Sequence, residues 1–556
     1  MTTSPGSTFF APTLQGCLRS IEQALRTGNS GAAMRFAAEG AARGFAHPQL
    51  LTLAAHERLA AGDGKAALRY AEAARELAPR DADVLTACAL ALAGVGRARE
   101  AVAVYDAALR QSPRSATLRF HKADALEGLG EIFRARHEYE RALAIDPVYP
   151  EALARIANLA ALAGDAATAR DYANRALKQN PREAAAALAL ALADIEEKKF
   201  AEALARAGRV AQDPAARPVN RSIAQGLIGD AYDGLGKQGE AFAAYSASNL
   251  TRKAWFQPVY EAEGLETAPV RAARLAAYFR NAVPEVWRAQ SEAPASGPTA
   301  KSPLRTHVFL VGFPRSGTTL LEQILASHSD VEAMEERDCL SAAFDDFVMA
   351  DGGLDRLARL SGSALDPWRK AYWKFAADSG FVPSRSVFID KMPLNTVLLP
   401  LVAKLFPRGK ILFALRDPRD VVLSCFRRRF GMSAQMYEFL TLKGAAGYYD
   451  AVMSLGEIYR DLLGLDTHVL RYEDMIADFE GETRKACSFL GLQWDDGMRE
   501  FAAATRARNV NTPSAAQVAR GLYKQGAGQW RAWRAQLQPV LPVLEPWCAK
   551  FGYEED

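Results

Sequence analysis

Prolines recur at Pro79, Pro113, Pro147, Pro181 and Pro214, in steps of 34, 34, 34 and 33 residues. Ala74, Ala108, Ala142 and Ala176 keep the 34-residue step, and so do Gly62, Gly96, Gly130 and Gly164. Three residue series in one register restrict this half of the chain to a stack of equal units. Each residue type has a mechanical reason. Glycine lets two helices turn tightly, the small alanine lets them pack closely, and proline ends the second helix. Residues 15–250 therefore read as an α-solenoid of six or seven helix pairs. Its ends are irregular: Lys198 interrupts the glycine series and Gly236 is displaced from it. Terminal units of a stack are often atypical because they cap it.

The period is that of the tetratricopeptide repeat, and the resemblance implies an extended concave face able to hold a protein or peptide. A scaffold or a homodimerisation arm fits the same pattern, and the sequence leaves these open. Residues 251–290 read as a helical connector, with Val270 to Phe279 amphipathic. Residues 291–304, rich in Pro, Ser and Gly, read as a linker.

From residue 305 to 556 the pattern changes to short apolar runs (307–311, 386–389, 410–415 and 468–470) separated by helical stretches. This alternation predicts an α/β domain with a mostly parallel sheet and helices on both faces. Three of the runs end on Gly312, on Asp390-Lys391 and on Arg416-Asp417. Ligands of such sheets bind at the carboxyl ends of the strands. The first run enters a turn bracketed by Gly312 and Gly317, and then an amphipathic helix (Leu320, Leu321, Ile324, Leu325). Strand, glycine turn and helix N-terminus make an anion cradle. Ser316, Thr318 and Thr319 add hydroxyl donors, and Arg315 adds a planar cation. The spacing fits a nucleotide-triphosphate P-loop, but Thr318 stands where that motif needs lysine. Ser424 lies eight residues after Arg416, and Arg428 follows Ser424 by four, on the same helix face. Taken alone, each reads equally as a surface arginine or a capping serine.

The segment Pro314-Arg-Ser-Gly-Thr-Thr-Leu320 resembles the 5′-phosphosulfate loop of the sulfotransferases, most of all the tyrosylprotein branch and the bacterial enzymes carrying tetratricopeptide repeats. The resemblance implies a P-loop-like domain that uses 3′-phosphoadenosine-5′-phosphosulfate (PAPS) as donor, releases PAP, and needs no metal. Arg315, Ser316, Gly317, Thr318 and Thr319 would then hold the 5′-phosphate. Arg416, Ser424 and Arg428 match the family's 3′-phosphate motif. In Ala333-Met-Glu-Glu-Arg337, Glu336 matches the general base, with Met334 replacing the family's glycine and Glu335 as the alternative. Lys391, in Ile389-Asp-Lys-Met-Pro393, resembles the catalytic lysine that neutralises the bridging oxygen. Tyr472, in Leu470-Arg-Tyr-Glu-Asp474, would touch the nucleotide or pack beside it. Ser514 and Lys524 resemble parts of a late loop over the donor, Ser514 facing the transferring group. Lys524 would replace a family lysine whose position here is Gln529.

Sixty-eight basic against 65 acidic residues leave a net charge of only +3, which argues against nucleic acid as a partner. Six cysteines (Cys17, Cys88, Cys339, Cys425, Cys487, Cys548) lack metal-ligand spacing and suggest no disulfide framework. The N-terminus has no basic and apolar signal segment and no stretch reaches membrane-spanning length, so a soluble cytoplasmic protein with no membrane partner is expected. The expected function is sulfuryl transfer from PAPS to an acceptor hydroxyl, a protein or peptide tyrosine held by the repeats. A carbohydrate or small-molecule hydroxyl is one alternative. A binding scaffold with an inactive nucleotide-binding domain is another.

Overall fold

The computed structural model describes residues 13–288, 302–508, 521–522 and 526–553. The chain forms two compact units, one running through Glu197 and one starting at Lys198.

The first unit is an unbroken succession of helices of 13 or 14 residues, from Leu14–Arg26 to Ala184–Glu196. Gly62, Gly96, Gly130 and Gly164 turn one helix into the next with φ between 75° and 82°. That left-handed region is open to glycine without steric strain. Gly28, one period earlier, does the same at φ 72°. Asp63, Ser115 and Asp165 accept backbone N–H groups at helix starts, satisfying donors that a helix leaves without internal partners. Ala74, Ala108, Ala142 and Ala176 are fully buried where neighbouring helices meet.

The second unit opens with the helices Phe200–Gln212, Pro218–Gly234 and Gln238–Tyr260. It then builds a sheet from β1 (Thr306–Gly312), β2 (Val331–Glu335), β3 (Val387–Lys391), β4 (Lys410–Leu415) and β5 (Thr467–Arg471). The strand order is β2-β3-β1-β4-β5, and all four pairings are parallel. β2 departs from the four strands expected. Glu332 and Glu335 interrupt its apolar run, which an edge strand tolerates because only part of it is buried.

Alternation along the strands gives two cores, one on each face of the sheet. Phe309 and Val311 join Phe388, Ile411 and Phe406 on one face. Val308 and Leu310 join Ile389, Leu412 and Ile324 on the other. The helix after the glycine loop, Thr318–Ala326, is buried at all nine positions rather than along one stripe. It is enclosed between the sheet and the elements Phe479–Leu490 and Phe501–Arg508. Glu322 and Gln323 are therefore buried polar side chains. Among the described residues no helix is long and apolar enough to cross a membrane. All six cysteines are buried, and none is in a disulfide.

Candidate active site

The carboxyl ends of the strands bring the separate motifs together. The register sets Leu310 beside Lys391, Gly312 beside Ala414, and Glu335 beside Lys391. The loop leaving β1 is held at its base by the buried Thr396, whose hydroxyl accepts the Gly312 N–H at 3.0 Å. A Cβ on Gly312 would lie 2.5 Å from the Ala414 carbonyl oxygen. Arg315 sits at the loop tip with φ 73°, a left-handed backbone that costs a non-glycine residue about 1–2 kcal/mol. Gly317 follows at φ 93° and starts the helix, and the ring of Tyr472 lies 2.9 Å from where its Cβ would be. The first-turn N–H groups of that helix face into the loop, as they do at anion sites.

The two arginines of the expected phosphate sites meet. Arg416 donates from Nη1 to the Arg315 carbonyl at 3.0 Å, and Arg315 donates from Nε to the Ser424 hydroxyl at 2.9 Å. Arg416 also donates to the Gly526 carbonyl, lies over the Tyr472 ring at 4.9 Å, and keeps a buried Nε with no partner among the described residues. Burial, with Arg428 and Arg416 nearby, pushes the Arg315 guanidinium down to about 9. It is still a cation at neutral pH. Three guanidinium groups gathered around one loop repel one another and favour a multiply charged anion. The hydroxyls of Ser316, Thr318 and Thr319 belong to residues buried in the same loop. This donor set fits a nucleotide bearing phosphate at two positions.

Beyond the loop, Lys391 is fully buried and donates to the Glu336 carboxylate at 2.7 Å, with Glu322 Oε2 3.3 Å away. Burial pulls this lysine down, but Glu322 and Glu336 outweigh it and hold it above the ordinary lysine value. Glu322, on the loop helix, is pushed up to about 7 by burial against the opposing pull of Lys391. The Glu336 side chain is 43% exposed, so its carboxylate bridges solvent and a buried ammonium. On the other side of β3, Asp390 accepts from the Tyr372 hydroxyl at 2.7 Å and is pushed up to about 7 by burial.

Ser514 and Lys524 lie outside the described residues. Every other expected residue falls on this edge of the sheet. Three contributors escaped the sequence. Thr396 gains its role only from the 3-10 turn Pro393–Leu398. Asp420 accepts the N–H groups of Gly528 and Trp530 at 2.7 and 2.8 Å, which fixes the segment whose Gly526 carbonyl meets Arg416. Glu322 could have been found as an acid on the loop helix in need of a buried cation.

Residues 307–496 match the model described as the sulfotransferase family. Residues 86–150 and 120–184 match the tetratricopeptide repeat. The second unit therefore contains a sulfotransferase-family domain. The chain thus carries tetratricopeptide repeats together with that domain. It is 27% identical over 201 residues to the protein-tyrosine sulfotransferase of Drosophila melanogaster, covering 34% of this chain and 39% of that protein. It is 26% identical over 142 residues to the omega-hydroxy-beta-dihydromenaquinone-9 sulfotransferase Stf3 of Mycobacterium bovis, covering 24% and 36%. The chain thus spans less than two fifths of either relative's length. The solved sulfotransferase domain from the Synechococcus PCC 7002 olefin synthase aligns at 20% identity and a TM-score of 0.33, over 49% of this chain and 99% of that one.

Proposed function

We propose that the second unit transfers a sulfuryl group from PAPS to an acceptor hydroxyl, and that the acceptor is a peptide tyrosine. The carrying observation is the 2.7 Å contact between Lys391 and Glu336, at the strand ends where Arg315 and Arg416 also meet. Arg315 and the loop hydroxyls hold the 5′ end of the donor. Arg416, Ser424 and Arg428 hold the 3′-phosphate, and Tyr472 packs between loop and nucleotide.

The donor supplies an activated sulfuryl group, whose bond to the 5′-phosphate oxygen breaks as a bond to the acceptor oxygen forms. Glu336, reachable from solvent, takes the acceptor proton. Lys391, buried and charged, faces the oxygen on which negative charge gathers. Glu322 keeps Lys391 charged. A tyrosine acceptor is supported by the relative named a protein-tyrosine sulfotransferase and by the repeats, which suit a protein partner. The relative named for a dihydromenaquinone substrate keeps a small-molecule hydroxyl as the second reading.

Transfer from labelled PAPS to tyrosine peptides tests this. Glu336→Gln should lower turnover by about 10²–10⁴-fold while PAP binding, measured by calorimetry, stays within a few-fold. Undiminished turnover overturns the assignment.

A further inference from the structure

Three consecutive arginines, Arg427 to Arg429, begin on the last residue of the helix Pro418–Arg427, which carries Ser424. Arg428, the first residue past the helix, has extended backbone (φ −91°, ψ 141°), and the arginines on either side of it are held by other partners. Arg428 contributes to the positive field at Arg315. Arg427 pairs with Asp233 and lies over the Trp533 ring at 4.9 Å. Arg429 reaches Asp230 at 3.5 Å and rests on Gly226, where a Cβ would come within 2.2 Å of its Nη1.

Asp230, Asp233 and Gly226 all belong to the helix Pro218–Gly234. Its neighbour Gln238–Tyr260 holds the same short segment by its backbone. Asn249, 3% exposed, donates to the Phe426 carbonyl at 2.9 Å, and Arg252 donates to the Phe430 carbonyl. Phe242 stacks on Phe426 with ring centroids 5.2 Å apart. Two helices that continue the repeat pattern thus grip residues 426–430 on both flanks of Arg428. A buried hydrogen bond contributes about 1 kcal/mol and a paired, partly buried charge somewhat more, so the grip is strong enough to fix one backbone path.

We propose that the helix pair Pro218–Gly234 and Gln238–Tyr260 is a positioning element of the donor site, which sets Arg428 on the 3′-phosphate through Asp230, Asp233 and Asn249. This rests on the donor reading above. Without the grip, Arg428 keeps its charge but loses its fixed direction. The loss should fall on the 3′-phosphate and spare the 5′ end, which the glycine loop holds independently.

The test is calorimetry on the full chain with two probes, PAP and 5′-AMP, which lacks the 3′-phosphate. For the double variant Asp230→Asn/Asp233→Asn, and separately for Asn249→Ala, PAP affinity should fall about tenfold (about 1.4 kcal/mol) and AMP affinity less than about twofold. In an Arg428→Gln background, Asp233→Asn should leave the PAP-to-AMP ratio where Arg428→Gln had put it, because both changes remove one interaction. If the two probes weaken equally, or neither weakens, the helices are mere scaffold and the proposal is overturned. If the unmodified protein does not prefer PAP to AMP, the donor reading itself fails, a result distinct from failure in the variants. Should the double variant not fold, Asn249→Ala decides alone.

Discussion

The turn between repeat helices and the loop after β1 meet the same backbone demand in different ways. Among the described residues, two other than glycine hold a left-handed backbone: Lys198 at φ 59° and Arg315 at φ 73°. Lys198 stands one period after Gly164, where the repeat calls for glycine. At Gly62, Gly96 and Gly164 a Cβ would meet nothing within 4 Å, so those turns need glycine only for its torsion angles. The loop needs it for space as well, since Tyr472 and Ala414 press on Gly317 and Gly312. A repeated turn can therefore absorb a lysine, whereas the loop confines its exception to the residue that carries the charge.

Substitutions put this contrast to the test. Gly317→Ala adds both torsional strain and a clash with Tyr472, together about 2–5 kcal/mol. PAP binding by calorimetry should weaken at least roughly 30-fold, and binding within a few-fold of the original would mean that the loop has slack.

Carboxylates divide along the same line. Asp165, capping a repeat helix, is held below the ordinary range by its hydrogen bonds to Thr168, whereas Asp390 is pushed by burial from 3.8 to about 7. A raised folded value means that the native state keeps a proton the unfolded chain has released. Stability therefore falls as pH rises from about 4 to about 7, by about 4 kcal/mol at most. Thermal melts between pH 5 and pH 8 should show a steeper decline for the native sequence than for Asp390→Asn, and equal slopes would show that no such proton is held.

Gly96→Ala meets only the torsional penalty, about 1 kcal/mol after the gain from a stiffer unfolded chain. A drop of a few degrees in the melting of the first unit is expected, and a loss as large as that of Gly317→Ala would erase the distinction. Lys198→Gly should stabilise by about half a kcal/mol, strain relief slightly exceeding the entropy that glycine adds to the unfolded state. Denaturant midpoints resolve the sign.

What could be read from the amino acids follows from how often each signal is used. The solenoid was legible because Gly62, Ala74 and Pro79 have counterparts one period on, so each position is stated several times. The loop was legible because Gly312 and Gly317 bracket one motif on a strand end. β2 was not, because Glu332 and Glu335 mask an edge strand. Glu322, Thr396 and Asp420 were not, because a buried polar group acquires meaning only from its partner. The pairings of Arg427 and Arg429 were not legible either. Their partners Asp233 and Asp230 lie 194 and 199 residues away, beyond any local pattern.

The buried, unpaired cysteines have a practical consequence. Cys17 and Cys88 lie in the first compact unit and Cys339, Cys425, Cys487 and Cys548 in the second, all shielded from solvent. An alkylating reagent can reach them only when the surrounding structure opens. Counting two or four modified sulfurs by mass spectrometry therefore reports which half of the molecule opened first, with no engineered probe.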